Sequence, residues 1–254
     1  MAETLLLTKL NAGPEIFYSL QGEGVSIGSP SIFVRCSGCN LQCHWCDTEY
    51  TWNWLGTSFS HAKDRPGAPA KYDRSLFQVR LTIPEATAII TRIPCTNVIF
   101  TGGEPMLQQD RLAKLGDELH ALNQEYEIEV ETNGTLIPTP EFDSIVTRYN
   151  VSPKLSNSMM DRSARLVPDA IQSFVNSPKA TFKFVCSSEA DADEIAAFEA
   201  EFKVARRRII VMPEASSQQR LEERRKIVFE VCKDRGWRFS DRMHVAIFGE
   251  RRGV

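Results

Sequence analysis

No stretch of this 254-residue chain is apolar over the roughly 18 residues that a membrane-spanning helix needs. A secretory leader is also missing from the reading: the chain starts Met-Ala-Glu-Thr-Leu-Leu-Leu, with an acid where positive charge belongs and an apolar run that is too short. The expectation is a cytoplasmic protein without a membrane partner. Charge of one sign does not dominate either. With 30 Lys and Arg against 33 Asp and Glu the net charge is −3, which exerts no general attraction on nucleic acid. The run Arg206-Arg207-Arg208 reads as a solvated edge before a strand. Low-complexity tracts, internal repeats and clear domain boundaries are absent, and 25% charged with 42% hydrophobic residues is ordinary for a globular fold. One large domain over residues 1–254 is expected.

Cysteine, by contrast, is not scarce. Seven cysteines without an export signal suit a reducing compartment, where thiols serve metals or catalysis. Four of them fall in Arg35-Cys-Ser-Gly-Cys-Asn-Leu-Gln-Cys-His-Trp-Cys-Asp-Thr48, directly after the apolar run Ile32-Phe33-Val34. Taken as Cys39, Cys43 and Cys46, the spacing is Cys-xxx-Cys-xx-Cys. Three thiolates can then hold three irons of a cubane cluster and leave one iron open, much as a catalytic zinc keeps a free position. Taken as Cys36-xx-Cys39 and Cys43-xx-Cys46, the same thiols form a four-thiolate zinc knuckle in an interaction module. A buried cysteine can also be an inert small hydrophobe. Spacing alone leaves these readings open.

Along the chain, residues 5–10 read as a first strand, and residues 49–81 as a long loop extending the cysteine segment. Trp52 and Trp54 read as its anchors. Regular patterning begins with the capping box Thr82-Ile-Pro-Glu85 and the stripe Ala86, Ile89, Ile90, Ile93. Strands follow near 97–101, 127–131, 145–151, 181–186 and 208–212. They are separated by helical stripes such as Leu112, Leu115, Leu119 and Leu122, and a last helix is expected over 216–235. Six strand-then-helix units imply parallel pairing through right-handed crossovers, and six are too few for a complete eight-unit barrel. The fold class expected is α/β, a partial (β/α)6 barrel with an extended cysteine loop. The polar motifs after Val34, Thr101, Val130 and Val151 all follow strand ends, the rim where parallel barrels assemble active sites.

The three-cysteine motif, with the aromatic Trp45 before its last member, resembles the radical S-adenosylmethionine (SAM) enzymes. Within them, Phe17-Tyr-Ser-Leu-Gln-Gly-Glu-Gly24 before the motif and Cys46-Asp-Thr48 at its end resemble the 7-carboxy-7-deazaguanine synthase family. The resemblance covers residues 15–154 by motif and the remainder by fold pattern. It implies a 4Fe-4S cluster on Cys39, Cys43 and Cys46, with Cys36 outside the ligand set, and Mg²⁺ on Thr48. SAM would be held by Trp45, Gly103, Glu104, Thr132, Asn133, Ser152 and Lys154. Leu20, Gln21, Gly22, Glu23, Arg35 and Thr101 would meet a small pterin substrate, 6-carboxy-5,6,7,8-tetrahydropterin, and His244 balances between that role and a structural one. It also implies a low-potential electron donor such as flavodoxin and a homodimer. The alternatives are a radical SAM activase of a glycyl radical enzyme and the zinc-binding module.

Overall fold

In the computed structural model, which describes residues 3–254, the apolar runs that follow one another along the sequence pair side by side. The strands are β1 Thr4–Leu10, β2 Gly13–Pro14, β3 Ile16–Leu20, β4 Pro30–Cys36, β5 Gln78–Thr82 and β6 Asn97–Gly102. They continue as β7 Glu127–Thr132, β8 Arg148–Val151, β9 Ala180–Cys186, β10 Ile209–Pro213 and β11 Arg238–Phe239. The sheet order is β11-β10-β9-β8-β7-β6-β4-β1-β2. From β4 through β6, β7, β8, β9 and β10 every neighbouring pair is parallel.

Helices cross between these strands: α1 Arg74–Phe77, α2 Ile83–Ile90, α3 Gln109–Leu122, α4 Pro140–Ile145 and α5 Arg162–Arg165. The later ones are α6 Pro168–Asn176, α7 Glu189–Phe202, α8 Gln218–Arg235 and α9 Met243–Phe248. Six parallel strands alternating with α2, α3, α4, α6, α7 and α8 form the open (β/α)6 arrangement expected, and the ends of the sheet order do not meet. None of these helices is long and apolar enough to cross a membrane.

Local sequence accounts for the boundaries. The Thr82 hydroxyl accepts from Glu85 N while the Glu85 carboxylate accepts from Thr82 N, so α2 starts with two otherwise orphaned donors satisfied. α7 starts on the same device, built from Ser188 and Asp191. Both faces of the parallel strands are covered: Ile32, Val34, Val98, Phe100, Ile128, Val130, Phe182 and Phe184 are fully buried on one, and Ile99, Glu129, Asn150 and Lys183 are buried at the intervening positions.

Three expectations change. The segment 49–81 is not loop throughout, because Gln-Val-Arg-Leu-Thr alternates over five residues and pairs antiparallel with β1 as β5. β1 itself is antiparallel to β4 and stands outside the parallel series. Arg208 is not a solvated edge. Its guanidinium donates to the carbonyls of Phe174, Val175, Ser177 and Ala180, which closes the C-terminal end of α6, while Arg206 stays at the surface against Glu199.

Candidate active site

At the C-terminal rim of the parallel strands lies a cavity of about 380 Å³, within the size range of small-molecule sites. The loop that leaves β4 delivers Cys39, Cys43 and Cys46 to its wall. Cys36, the last residue of β4, turns the other way and is fully buried in the hydrophobic core. That placement removes the fourth thiol a zinc knuckle needs. Among the described residues no three His, Cys, Asp or Glu side chains converge closely enough to hold one metal ion.

Burial pushes the Cys43 thiol up to about 12, and it moves Cys39 and Cys46 the same way, with the carboxylates of Glu104 and Asp47 adding to the respective shifts. As bare sulfurs they are neutral at pH 7, and holding them as thiolates takes the positive charge of a metal. Three thiols on the wall of one cavity fit a cluster that keeps one iron free.

Next to the thiols stand the residues expected around the cofactor. Gly103 is required by close packing: a Cβ there would sit 2.0 Å from the Gly38 carbonyl oxygen, and the Gly38 carbonyl accepts from Glu104 N at 2.8 Å. Thr132, Asn133, Ser152, Lys154 and Trp45 all line the cavity. The Lys154 ammonium lies 5.8 Å from the Trp45 ring centre and donates to Ser152 Oγ at 3.0 Å. Trp45 is oriented by its indole N–H on Asn157.

Glu104 departs from its expected place. It does not line the cavity; its carboxylate is 0% exposed and accepts from Met106 N, Thr132 Oγ1 and Asn133 N at 2.7–3.0 Å. Burial raises its pKa and these donors oppose the rise. In this conformation Glu104 holds the Thr132-Asn133 turn against the Gly102-Gly103 turn, with both carboxylate oxygens engaged by these donors. Glu104→Gln is expected to cost about 1–3 kcal/mol, because an amide nitrogen would face a donor it cannot pair. Denaturant unfolding measures this; wild-type stability would refute the assignment.

The same cavity is lined by the residues expected around the substrate. Leu20, Gln21, Gly22, Glu23, Arg35, Thr101 and His244 all reach it. Gln21 is 2% exposed, and its amide donates to Glu131 Oε1 at 3.2 Å and, more weakly, to Glu129 Oε1 at 3.4 Å. Gly22 lets backbone meet a side chain, since a Cβ there would fall 2.3 Å from His244 Nδ1. Arg35 is paired with Glu15 at 3.1 Å, and Thr101 donates to Glu131 at 2.7 Å. His244 lines the cavity with Nε2 3.8 Å from Glu23 Oε1, and burial holds its imidazole below the usual range against the pull of that carboxylate.

The cavity also contains residues that sequence reasoning did not single out. Lys183 on β9 places its ammonium 2.7 Å from Glu23 and 3.3 Å from Glu131. Arg242 joins Glu23 at 2.9 Å, Asp47 and the Ala215 carbonyl. Burial alone would raise Glu23, but Lys183 and Arg242 outweigh it and hold the carboxyl well below its ordinary range.

Residues 33–154 match the Radical SAM superfamily. A 7-carboxy-7-deazaguanine synthase of Pyrobaculum aerophilum is 35% identical, with 94% of this chain and 95% of the relative covered. The chain belongs to the 7-carboxy-7-deazaguanine synthase family. A synthase of Halobacterium salinarum is 31% identical over 93% of this chain and 90% of its own length. The crystal structure of QueE from Escherichia coli superposes with a TM-score of 0.67 at 27% identity, covering 95% of each chain.

Family membership decides against the activase and the zinc module alike, and it fits the site. The three thiols and the Gln21–Arg35 group line the same cavity.

Proposed function

We propose that this synthase converts 6-carboxy-5,6,7,8-tetrahydropterin to 7-carboxy-7-deazaguanine by radical ring contraction with loss of ammonia, in queuosine or related 7-deazapurine biosynthesis. The observation that carries the proposal is the single cavity onto which Cys39, Cys43 and Cys46 open together with Gln21, Arg35 and Thr101. When bound, the cluster and SAM supply a 5′-deoxyadenosyl radical that abstracts a substrate hydrogen. The rest is positioning by the chain. Arg35 offers a guanidinium suited to a carboxylate, and Gln21, tied to Glu131, backs the wall on which a flat heterocycle would lie. The Glu23–Lys183–Glu131 network fixes the groups around them. His244, held neutral by burial, keeps one ring nitrogen able to accept a proton from substrate.

Thr48 is proposed to ligate Mg²⁺. Its hydroxyl lines the cavity, is in hydrogen-bond contact with Cys46 Sγ at 3.6 Å and makes a long 3.5 Å contact to the Gly102 carbonyl, so an oxygen lone pair stays unused. It is thus left available to a hard cation that takes its other oxygens from water and substrate. Thr48→Ala is expected to load iron and sulfide normally while kcat/KM at low Mg²⁺ falls on the order of 10–100-fold, partly restored by excess Mg²⁺. An unchanged Mg²⁺ response would remove Thr48 from the metal site. A low-potential donor such as flavodoxin, a homodimer and a cytoplasmic location complete the proposal.

The test is an anaerobic assay of reconstituted protein with SAM, a strong reductant, Mg²⁺ and the tetrahydropterin, followed by mass spectrometry. The deazaguanine acid should accumulate over many turnovers. Formation of 5′-deoxyadenosine alone would refute the substrate assignment.

A further inference from the structure

The segment after the cysteine loop returns one side chain to the cluster wall. Trp52 follows the turn Glu49–Thr51, is 3% exposed, and points its indole N–H at Cys46 Sγ, 3.3 Å away. Its backbone N–H donates to the Glu49 carbonyl and its carbonyl accepts from Trp54 N. The ring is held edge-on by Phe59 at 6.0 Å and His61 at 6.1 Å. His61 in turn fixes Cys46 from behind: Nδ1 accepts from Lys63 N, so Nε2 carries the proton and donates to the Cys46 carbonyl at 2.9 Å. An indole nitrogen only donates, and here the sulfur is its acceptor. Cys39 receives a backbone N–H from Leu41 at 3.4 Å and Cys46 also touches the Thr48 hydroxyl at 3.6 Å, whereas the shorter indole contact on Cys46 comes from beyond the three-cysteine motif.

We propose that Trp52 is a positioning residue that sets the reduction potential of the cluster through its N–H···S bond to Cys46. This inference rests on the radical SAM reading of the site. When one electron enters the cluster the sulfurs gain negative charge, and a donor dipole aimed at sulfur stabilises that state more than the oxidised one. Burial of the Trp52 ring strengthens the effect, because it shields the donor from competing water. Trp52 therefore makes the cluster easier to reduce, and the insertion 49–77 contributes to electron entry as well as to packing.

Trp52→Phe keeps an aromatic ring and removes the N–H. With the reconstituted full-length protein, iron and sulfide content and SAM binding should match wild type. In an EPR-monitored redox titration against dithionite, the reduced-to-oxidised ratio at a fixed potential near the wild-type midpoint should fall about tenfold. For a one-electron couple that is a shift of about 59 mV to more negative potential. Trp54→Phe is the control: Trp54 is equally buried in the same insertion but packs under Arg74 and does not line the cavity, so its midpoint should stay at the wild-type value.

A second readout needs no change at position 52. With ¹⁵N-indole tryptophan, the reduced cluster should show a ¹⁵N hyperfine coupling by pulsed EPR that survives Trp45→Phe. A Trp52→Phe cluster with an unmoved midpoint, or a labelled protein without that coupling, overturns the inference. A wild-type protein that assembles no 4Fe-4S cluster overturns the radical SAM reading instead.

Discussion

Cys43→Ala is expected to yield a folded protein that retains little iron and sulfide after anaerobic reconstitution and whose activity falls by at least about a thousandfold. That is well beyond the 10–100-fold typical of losing an outer partner of a metal ligand. The geometry explains why no neighbour substitutes. Cys43 lines the cavity with Cys39 and Cys46, and the remaining nearby thiol, Cys36, is fixed in the core at the end of β4 with its backbone N–H and carbonyl tied into the sheet. Cys36→Ala should therefore assemble the cluster and retain activity. It should lose only modest stability, about 1 kcal/mol, for deleting one small buried atom group. Iron and labile-sulfide analysis with the ultraviolet–visible spectrum separates the two variants. Equal cluster loss in both would mean that the ligand set is misassigned.

The contrast between these cysteines marks where the chain can be read without its structure. Cys39, Cys43 and Cys46 lie within one loop, so their spacing alone limits what they can bind, and short motifs at successive strand ends reach one rim in any parallel α/β fold. The parallel order of β4 and β6 to β10 is legible for the same reason, as apolar runs separated by helical stripes. Glu104 is legible as a member of the site but not in its role, because whether a carboxylate faces the cavity or the turn behind it depends on the rotamer and on Thr132 and Asn133, which arrive from β7.

Lys183 and Arg242 escape entirely. Thr181-Phe-Lys-Phe-Val is legible as a strand, but nothing in that reading gives its lysine a role. Yet β9 lies between β8 and β10, and Lys183 is 4% exposed. The available signal was a single cation in a strand whose two faces should both be covered. Arg242 follows the last expected helix, and nothing local says that α9 folds back so that Met243 N donates to the Gly22 carbonyl.

Lys183 accordingly carries the other large expected effect. Its ammonium, 5% exposed, lies between Glu23 and Glu131, and with Arg242 it offsets the charge of three carboxylates, the third being Asp47. Lys183→Met fills a similar volume but leaves Glu131 without its cation and Glu23 with Arg242 alone. Breaking a buried pair by removing one partner costs about 3–5 kcal/mol, which for a chain of this size lowers Tm by roughly 6–20 °C.

The pH dependence fixes the mechanism. Glu23 in the wild type is depressed below its unfolded value, so its stabilisation is complete above roughly pH 5 and is lost as pH falls through the depressed pKa. In the variant that carboxyl is less depressed and can take up a proton while folded, which relieves the uncompensated charge. The stability difference between the two proteins should thus be widest at neutral pH and should narrow below about pH 4. Equal stability at pH 7, or a gap that widens on acidification, would mean that Lys183 is not the counter-ion holding Glu23 and Glu131 in place. Because the Glu131 carboxylate orients Gln21 and Thr101, the variant should also show a raised KM for substrate at temperatures where it remains folded.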